Sequence, residues 1–251
     1  MSEHSTQRVS SFDGAELAVH RLGEGRPVLL LHGLFSSADM NWIRFGHAET
    51  LADAGFEAIM PDLRAHGKSA APHEPDAYPS DVLVRDVLAL AEALDLSESD
   101  LVGFSLGART AARAVLSGLR PRRLVLAGMG LEGLTGWDRR AAFFIDAIDR
   151  FDDVRQGDPA FMAVSFMRRM EVDRVAARLL LGAVEDIERD DLAAITAETL
   201  VTVGEDDRDN GSPQALVDAL PDARLVEIPG THMGSVTGPA LGETIASFLR
   251  A

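Results

Sequence analysis

Ser105 stands between two glycines in the stretch Gly103-Phe104-Ser105-Leu106-Gly107, where a short apolar run meets an alanine-rich one. A hydroxyl in such a place could attack a carbonyl carbon. Serine is a weak nucleophile at neutral pH, however, and needs a base within hydrogen-bond reach. The chain offers His4, His20, His32, His47, His66, His73 and His232. Taken alone, the pentapeptide also fits an ordinary turn, so the elements on either side have to decide.

Those elements alternate. Residues 9–12 and 17–21 flank Asp13-Gly14, a hairpin signal. Residues 27–33 (PVLLLHG) form a continuous apolar run closed by glycine, the pattern of a strand buried on both faces. Similar runs recur at 56–64, 101–104, 123–130, 199–204 and 223–230. Helical spacing lies between them, at 48–54, 81–96, 106–119, 214–220 and 240–249. Strands that alternate with helices predict an α/β fold, a mostly parallel sheet with helices on both faces. One stretch breaks the rhythm. Residues 131–198 carry helical periodicity, many Phe and Met and no strand, which predicts a helical cap inserted after a strand end. The expected division is a core of 1–130 and 199–251 with a lid of 131–198.

This order puts Ser105 at a strand-to-helix junction on the C-terminal edge of the sheet. The turn there is tight enough that a side chain at Gly103 or Gly107 would collide with backbone. It leaves the hydroxyl exposed and the Leu106 N–H at a helix N-terminus, where free donors and a partial positive charge suit a developing oxyanion.

Composition narrows the functional classes. The 251 residues include 46% hydrophobic and 25% charged side chains, the profile of a globular chain. A net charge of −16 argues against nucleic acid and anionic membrane surfaces as partners. Of the 24 basic residues only Lys68 is a lysine. With no cysteine, thiolate catalysis, disulfides and cysteine metal sites are excluded. The polar N-terminus lacks a signal-peptide core, and no apolar run has the length of a membrane span. A cytoplasmic protein is expected, its oligomeric state unspecified.

The elbow around Ser105, the turn HGLFSS (residues 32–37) and PDLRAHGKS (residues 61–69) together resemble the α/β-hydrolase family along nearly the whole chain. Many relatives carry Gly where this chain has Ala65. The resemblance implies a chain order of Ser, acid, His. It selects His232, the one histidine after Ser105, and Asp207 from GEDDRDN (residues 204–210) by the pattern Gly-x-x-Asp. Asp206 is the adjacent rival; an acid after an earlier strand would be Glu132 or Asp138. The resemblance also implies oxyanion donors at the backbone N–H groups of Leu34 and Leu106. Phe35, Phe104 and Met233 are candidates for the pocket wall. His32 and His66 read as props of the loops, and His73 as an exposed loop residue.

The implied reaction is hydrolysis of a carboxylic ester through an acyl-enzyme, with no metal or organic cofactor. The sequence presents no cluster of bases for a carboxylate, so the expected substrate is a neutral ester of small to medium size with an apolar acyl part. The same residues would serve a thioesterase, a carbon–carbon bond hydrolase, a perhydrolase or an acyltransferase. Epoxide hydrolases and dehalogenases of this fold use Asp where this chain has Ser105. A non-catalytic ligand-binding protein on the same fold is the reading from another class.

Overall fold

A computed structural model describes residues 4–251. Strands β1 (Ser5–Ser10) and β2 (Glu16–Leu22) form an antiparallel hairpin, and β2 runs antiparallel to β4 (Phe56–Pro61). β3 (Arg26–Leu31), β4, β5 (Asp100–Phe104), β6 (Arg123–Ala127), β7 (Glu198–Gly204) and β8 (Ala223–Ile228) are parallel to one another. The order across the single sheet is β1-β2-β4-β3-β5-β6-β7-β8. The fold class is therefore α/β, as the alternation predicts.

Side-chain parity on the strands explains the continuous apolar runs. In β3, Val28 and Leu30 pack with Ala48 and Leu51 of α1 (His47–Asp53) and with the C-terminal helix, while Leu29 and Leu31 point into the opposite layer. That second layer is made by α2 (Val82–Ala93) and α3 (Leu106–Leu116). Both parities are buried, so both are apolar.

The stretch after β6 folds into α4 (Leu131–Thr135), α5 (Trp137–Asp149), α6 (Phe161–Arg169) and α7 (Arg174–Leu181). Its buried side chains are continuous with the α2–α3 layer. Arg109 of α3 fastens it. This arginine is 1% exposed, donates from Nη1 to the carbonyls of Gly133 (2.8 Å) and Leu134 (2.6 Å), and pairs with Asp186 at 2.9 Å. The chain then returns through β7, α8 (Pro213–Ala219), β8, α9 (Gly234–Thr237) and α10 (Ala240–Arg250). The four-residue α9 and a helical turn at Asp39–Ile43 have no counterpart in the sequence reading, because one turn is too short to set up an apolar period. Among the described residues no helix is long and apolar enough to cross a membrane.

Candidate active site

Residue 105 occupies the junction between β5 and α3 with φ 53° and ψ −114°, a conformation that L-residues rarely adopt. Its N–H donates to the Ala127 carbonyl at 2.9 Å and its carbonyl accepts from Arg109 N–H at 3.0 Å, so the strained unit is held from both sides. A Cβ on Gly103 would fall onto the Gly107 carbonyl, and one on Gly107 onto the Leu31 carbonyl. Both glycines are therefore required by the closeness of α3 to β5 and β3.

Three loops at this edge of the sheet bring three side chains into line. His232 Nε2 lies 3.1 Å from Ser105 Oγ, and His232 Nδ1 lies 2.8 Å from Asp207 Oδ2. With Nδ1–H donating to the carboxylate, Nε2 is free to accept from the serine hydroxyl. The second Asp207 oxygen accepts from Asp209 N–H at 3.0 Å. Burial pushes the Asp207 carboxyl up, but the bond and charge of His232, with that N–H, more than offset it and hold the pKa below its ordinary value. The His232 ring sits 5.0 Å from that of Phe104, and Ser235 Oγ donates to its backbone carbonyl at 3.0 Å. Asp206 is exposed and makes no hydrogen bond to Ser105 or His232, whereas Asp207 is 5% exposed. Glu132 is exposed and accepts from Ser212 N–H at 2.7 Å; Asp138 is also exposed.

The turn after β3 presents a second element of the site. Gly33 N–H donates to Asn41 Oδ1 at 3.0 Å and Phe35 N–H to His66 Nε2 at 2.9 Å. Among the described residues no backbone acceptor takes the Leu34 N–H between them. Leu106 is the first residue of α3, so its N–H has no partner from an earlier helical turn. Both line the same cavity as Ser105 and His232.

The histidines behind this turn hold loops. His32 accepts the Leu63 N–H at 2.9 Å, and its other ring nitrogen donates to Gly33 O at 2.8 Å. His66 Nδ1 donates to Arg64 O at 2.9 Å. Burial, with the neighbouring His32, drives the His66 pKa down to about 3, so both of its bonds are made by a neutral ring. Asp62 accepts from Ala38 N–H and Lys68 N–H, both at 2.8 Å, which ties the two loops together. Asn41 and Asp62 are the supports that sequence reasoning missed. Ala65 takes the left-handed φ of 65° that a glycine would adopt without cost. His73 is exposed and pairs with Asp173 at 2.8 Å.

The cavity holds about 850 Å³ and is lined mainly by apolar side chains, Phe35, Phe104 and Met233 among them. Phe35 and Phe104 are 2% exposed and double as core, while Met233 is 49% exposed at the rim. Helices α5 and α6 supply the opposite wall through Phe143, Phe144, Met162 and Phe166. One expectation fails here. The sequence presents no cluster of bases, yet Arg139 and Arg140 of α5 and Arg169 of α6 reach the same cavity. Their grouping comes from packing of two helices and has no local signature.

A family model described as the alpha/beta hydrolase fold matches residues 26–186. An epoxide hydrolase from Caballeronia sordidicola is 36% identical over 127 residues, 49% of this chain and 37% of that protein, so the match spans little more than a third of the relative. A non-heme haloperoxidase from Rhodococcus erythropolis is 27% identical over a 278-residue alignment that covers 97% of this chain and 99% of the relative. Among solved structures, a thermophilic esterase from Thermogutta terrifontis superposes with a TM-score of 0.78 at 25% identity, covering 98% of each chain.

Proposed function

The chain belongs to the alpha/beta hydrolase fold family, and on that footing we propose that it is a serine hydrolase that cleaves carboxylic esters through an acyl-enzyme. The observation that carries this reading is the line from Asp207 through His232 to Ser105, at 2.8 and 3.1 Å, which ends beside the spare N–H groups of Leu34 and Leu106. His232 Nε2 takes the Ser105 proton as Oγ bonds to the carbonyl carbon. Asp207 keeps the ring in the tautomer that can accept this proton and stabilises the cation that results. The carbonyl oxygen gains its negative charge between the two N–H groups; one such donor typically lowers the barrier by about 3 kcal/mol. Collapse breaks the C–O bond, His232 protonates the departing alkoxide, and the acyl group stays on Ser105. Water then gives a proton to His232, attacks the acyl carbon and releases the acid, and the proton returns to Oγ.

The acyl part is of small to medium size and apolar, in keeping with Leu34, Phe35, Phe104 and Met233 on the cavity wall. The insertion of residues 131–198 serves as the lid over it. Epoxide opening is set aside despite the named relative, because position 105 is Ser and not the Asp which that chemistry uses on this fold.

The test is labelling by a fluorophosphonate probe together with hydrolysis of a chromogenic short-chain ester. Ser105→Ala is expected to abolish labelling and to lower turnover by about a millionfold. Retention of more than about a tenth of the wild-type rate would remove Ser105 from this role. Wild-type protein that neither labels nor turns over would favour the ligand-binding reading instead. The full-length likeness to a haloperoxidase favours one second reading, in which hydrogen peroxide replaces water on the acyl-enzyme and a peracid leaves. Peracid formation from an ester and peroxide, lost in Ser105→Ala, would support it.

A further inference from the structure

The charges on the cavity wall run against those of the molecule. The chain carries a net charge of −16; arginines elsewhere, such as Arg64 and Arg150, are spent on carboxylates, and Arg109 on the cavity lining is itself paired with Asp186. Arg139, Arg140 and Arg169 line the cavity that holds Ser105, and none of the three is in an ion pair among the described residues. Asp209 is the one acidic residue on that lining. It contributes its backbone carbonyl to Arg140, and its exposed carboxylate makes no ion pair with any of the three.

Arg140 is the best placed of them. It is half-buried, and the loss of water around it pulls its pKa below the ordinary arginine value, more than the charges of nearby Asp209 and Asp207, neither of which forms an ion pair with it, push it up. Its guanidinium lies over the Phe144 ring at 5.9 Å, and Phe144 packs edge-on against Phe35 at 5.5 Å. Phe35 directly follows Leu34, so one aromatic layer separates this cation from the oxyanion turn. Nη1 donates to Asp209 O at 2.6 Å. Among the described residues Nε and Nη2 have no hydrogen-bond partner, and neither is sealed from solvent. That pair forms the edge of a guanidinium which meets a planar carboxylate with two parallel hydrogen bonds. A partly desolvated cation with this edge vacant lacks an anion of matching shape.

We propose that the ester cleaved at Ser105 carries a carboxylate remote from the reacting carbonyl, which Arg140 receives through its Nε and Nη2 edge while Arg139 and Arg169 add positive charge at the mouth. This rests on the serine-hydrolase reading and replaces the expectation of a neutral substrate. The apolar walls take the chain between the two ends.

The experiment compares kcat/KM for two series of chromogenic or alkyl esters, one with a terminal carboxylate on the acyl side and one with it on the alcohol side. Each is paired with a carboxamide of the same length. In wild type the carboxylate member of at least one series is expected to be favoured by about tenfold or more. In Arg140→Gln this ratio falls to about twofold or less, and Arg140→Lys, which keeps charge but loses the fork, retains part of it. No carboxylate preference in either series, or a preference that survives Arg140→Gln, overturns the proposal. In that case continued turnover of the carboxamides leaves the serine-hydrolase reading standing. If nothing is turned over or labelled, that reading fails, and the anion site is judged by binding alone. Hexanedioate, but not hexanediamide, would then raise the Tm of wild type and not of Arg140→Gln. Absence of that shift overturns the site as well.

Discussion

His66 makes a stability prediction of its own, because both its ring nitrogens are occupied in the neutral form. Its folded pKa is about 3, while an unfolded histidine titrates near 6.5. Between those values the unfolded chain binds the extra proton, so stability is complete above about pH 6.5 and declines as pH falls toward the folded value. The slope is about 1.4 kcal/mol per pH unit for one such group. His66→Gln keeps an acceptor for Phe35 N–H and cannot titrate. Its Tm is expected to fall less steeply than that of wild type between about pH 6.5 and 4.5; parallel curves would show that His66 is protonated in the fold. Asp207→Asn tests another residue, since an amide cannot favour the Nδ1–H tautomer. Ester turnover should fall by about ten thousandfold with the fold intact, read by kinetics and circular dichroism. Ser105 and His232 were legible in the sequence because each lies in a short pattern. Asp207 was harder, because Asp206 is its neighbour and only the path of the loop buries one and exposes the other. Arg140 was illegible as a cavity residue, since nothing local says that α5 turns it toward a cavity shared with Ser105 on another element.

At the scale of elements, the junction of β5 and α3 has the least freedom. Gly103→Ala or Gly107→Ala would drive a methyl group into the Gly107 or Leu31 carbonyl, and neither backbone can move without breaking the sheet or the helix start. Each substitution is expected to cost more than about 3 kcal/mol, visible as a lowered urea midpoint or as insoluble protein. A variant with near-wild-type stability would mean that α3 sits farther from β3. The strands and the main helices were readable because period and parity follow directly from which faces are covered. Single-turn pieces such as Gly234–Thr237 were not, as nothing in four residues separates a helical turn from a loop. The helical character of 131–198 was also evident, but its division into four α-helices and a 3₁₀ helix at Arg189–Ala194 depends on turns with little signature of their own.

For the whole molecule the dominant quantity is the charge of −16. Like charges repel at low ionic strength and the folded state confines them, so screening favours folding. Raising NaCl from about 10 to 300 mM is expected to raise Tm at pH 7 by a few degrees, measured by differential scanning calorimetry. A fall would mean that the paired charges, with Arg64 and Arg109 at their centre, contribute more than the net repulsion removes.

The anchorage of Arg109 has a mechanical consequence. It leaves α3 four residues after Ser105 and grips two carbonyls at the start of the inserted helices. The inserted helices are thus bolted at their inner eave to the helix that begins beside Ser105. If the inserted helices act as the proposed lid, their opening is expected to pivot beyond that bolt, in the outer span from Arg150 to Asp173, with the alignment at Ser105 unchanged. Amide exchange should be faster across that span than across Leu131–Thr135.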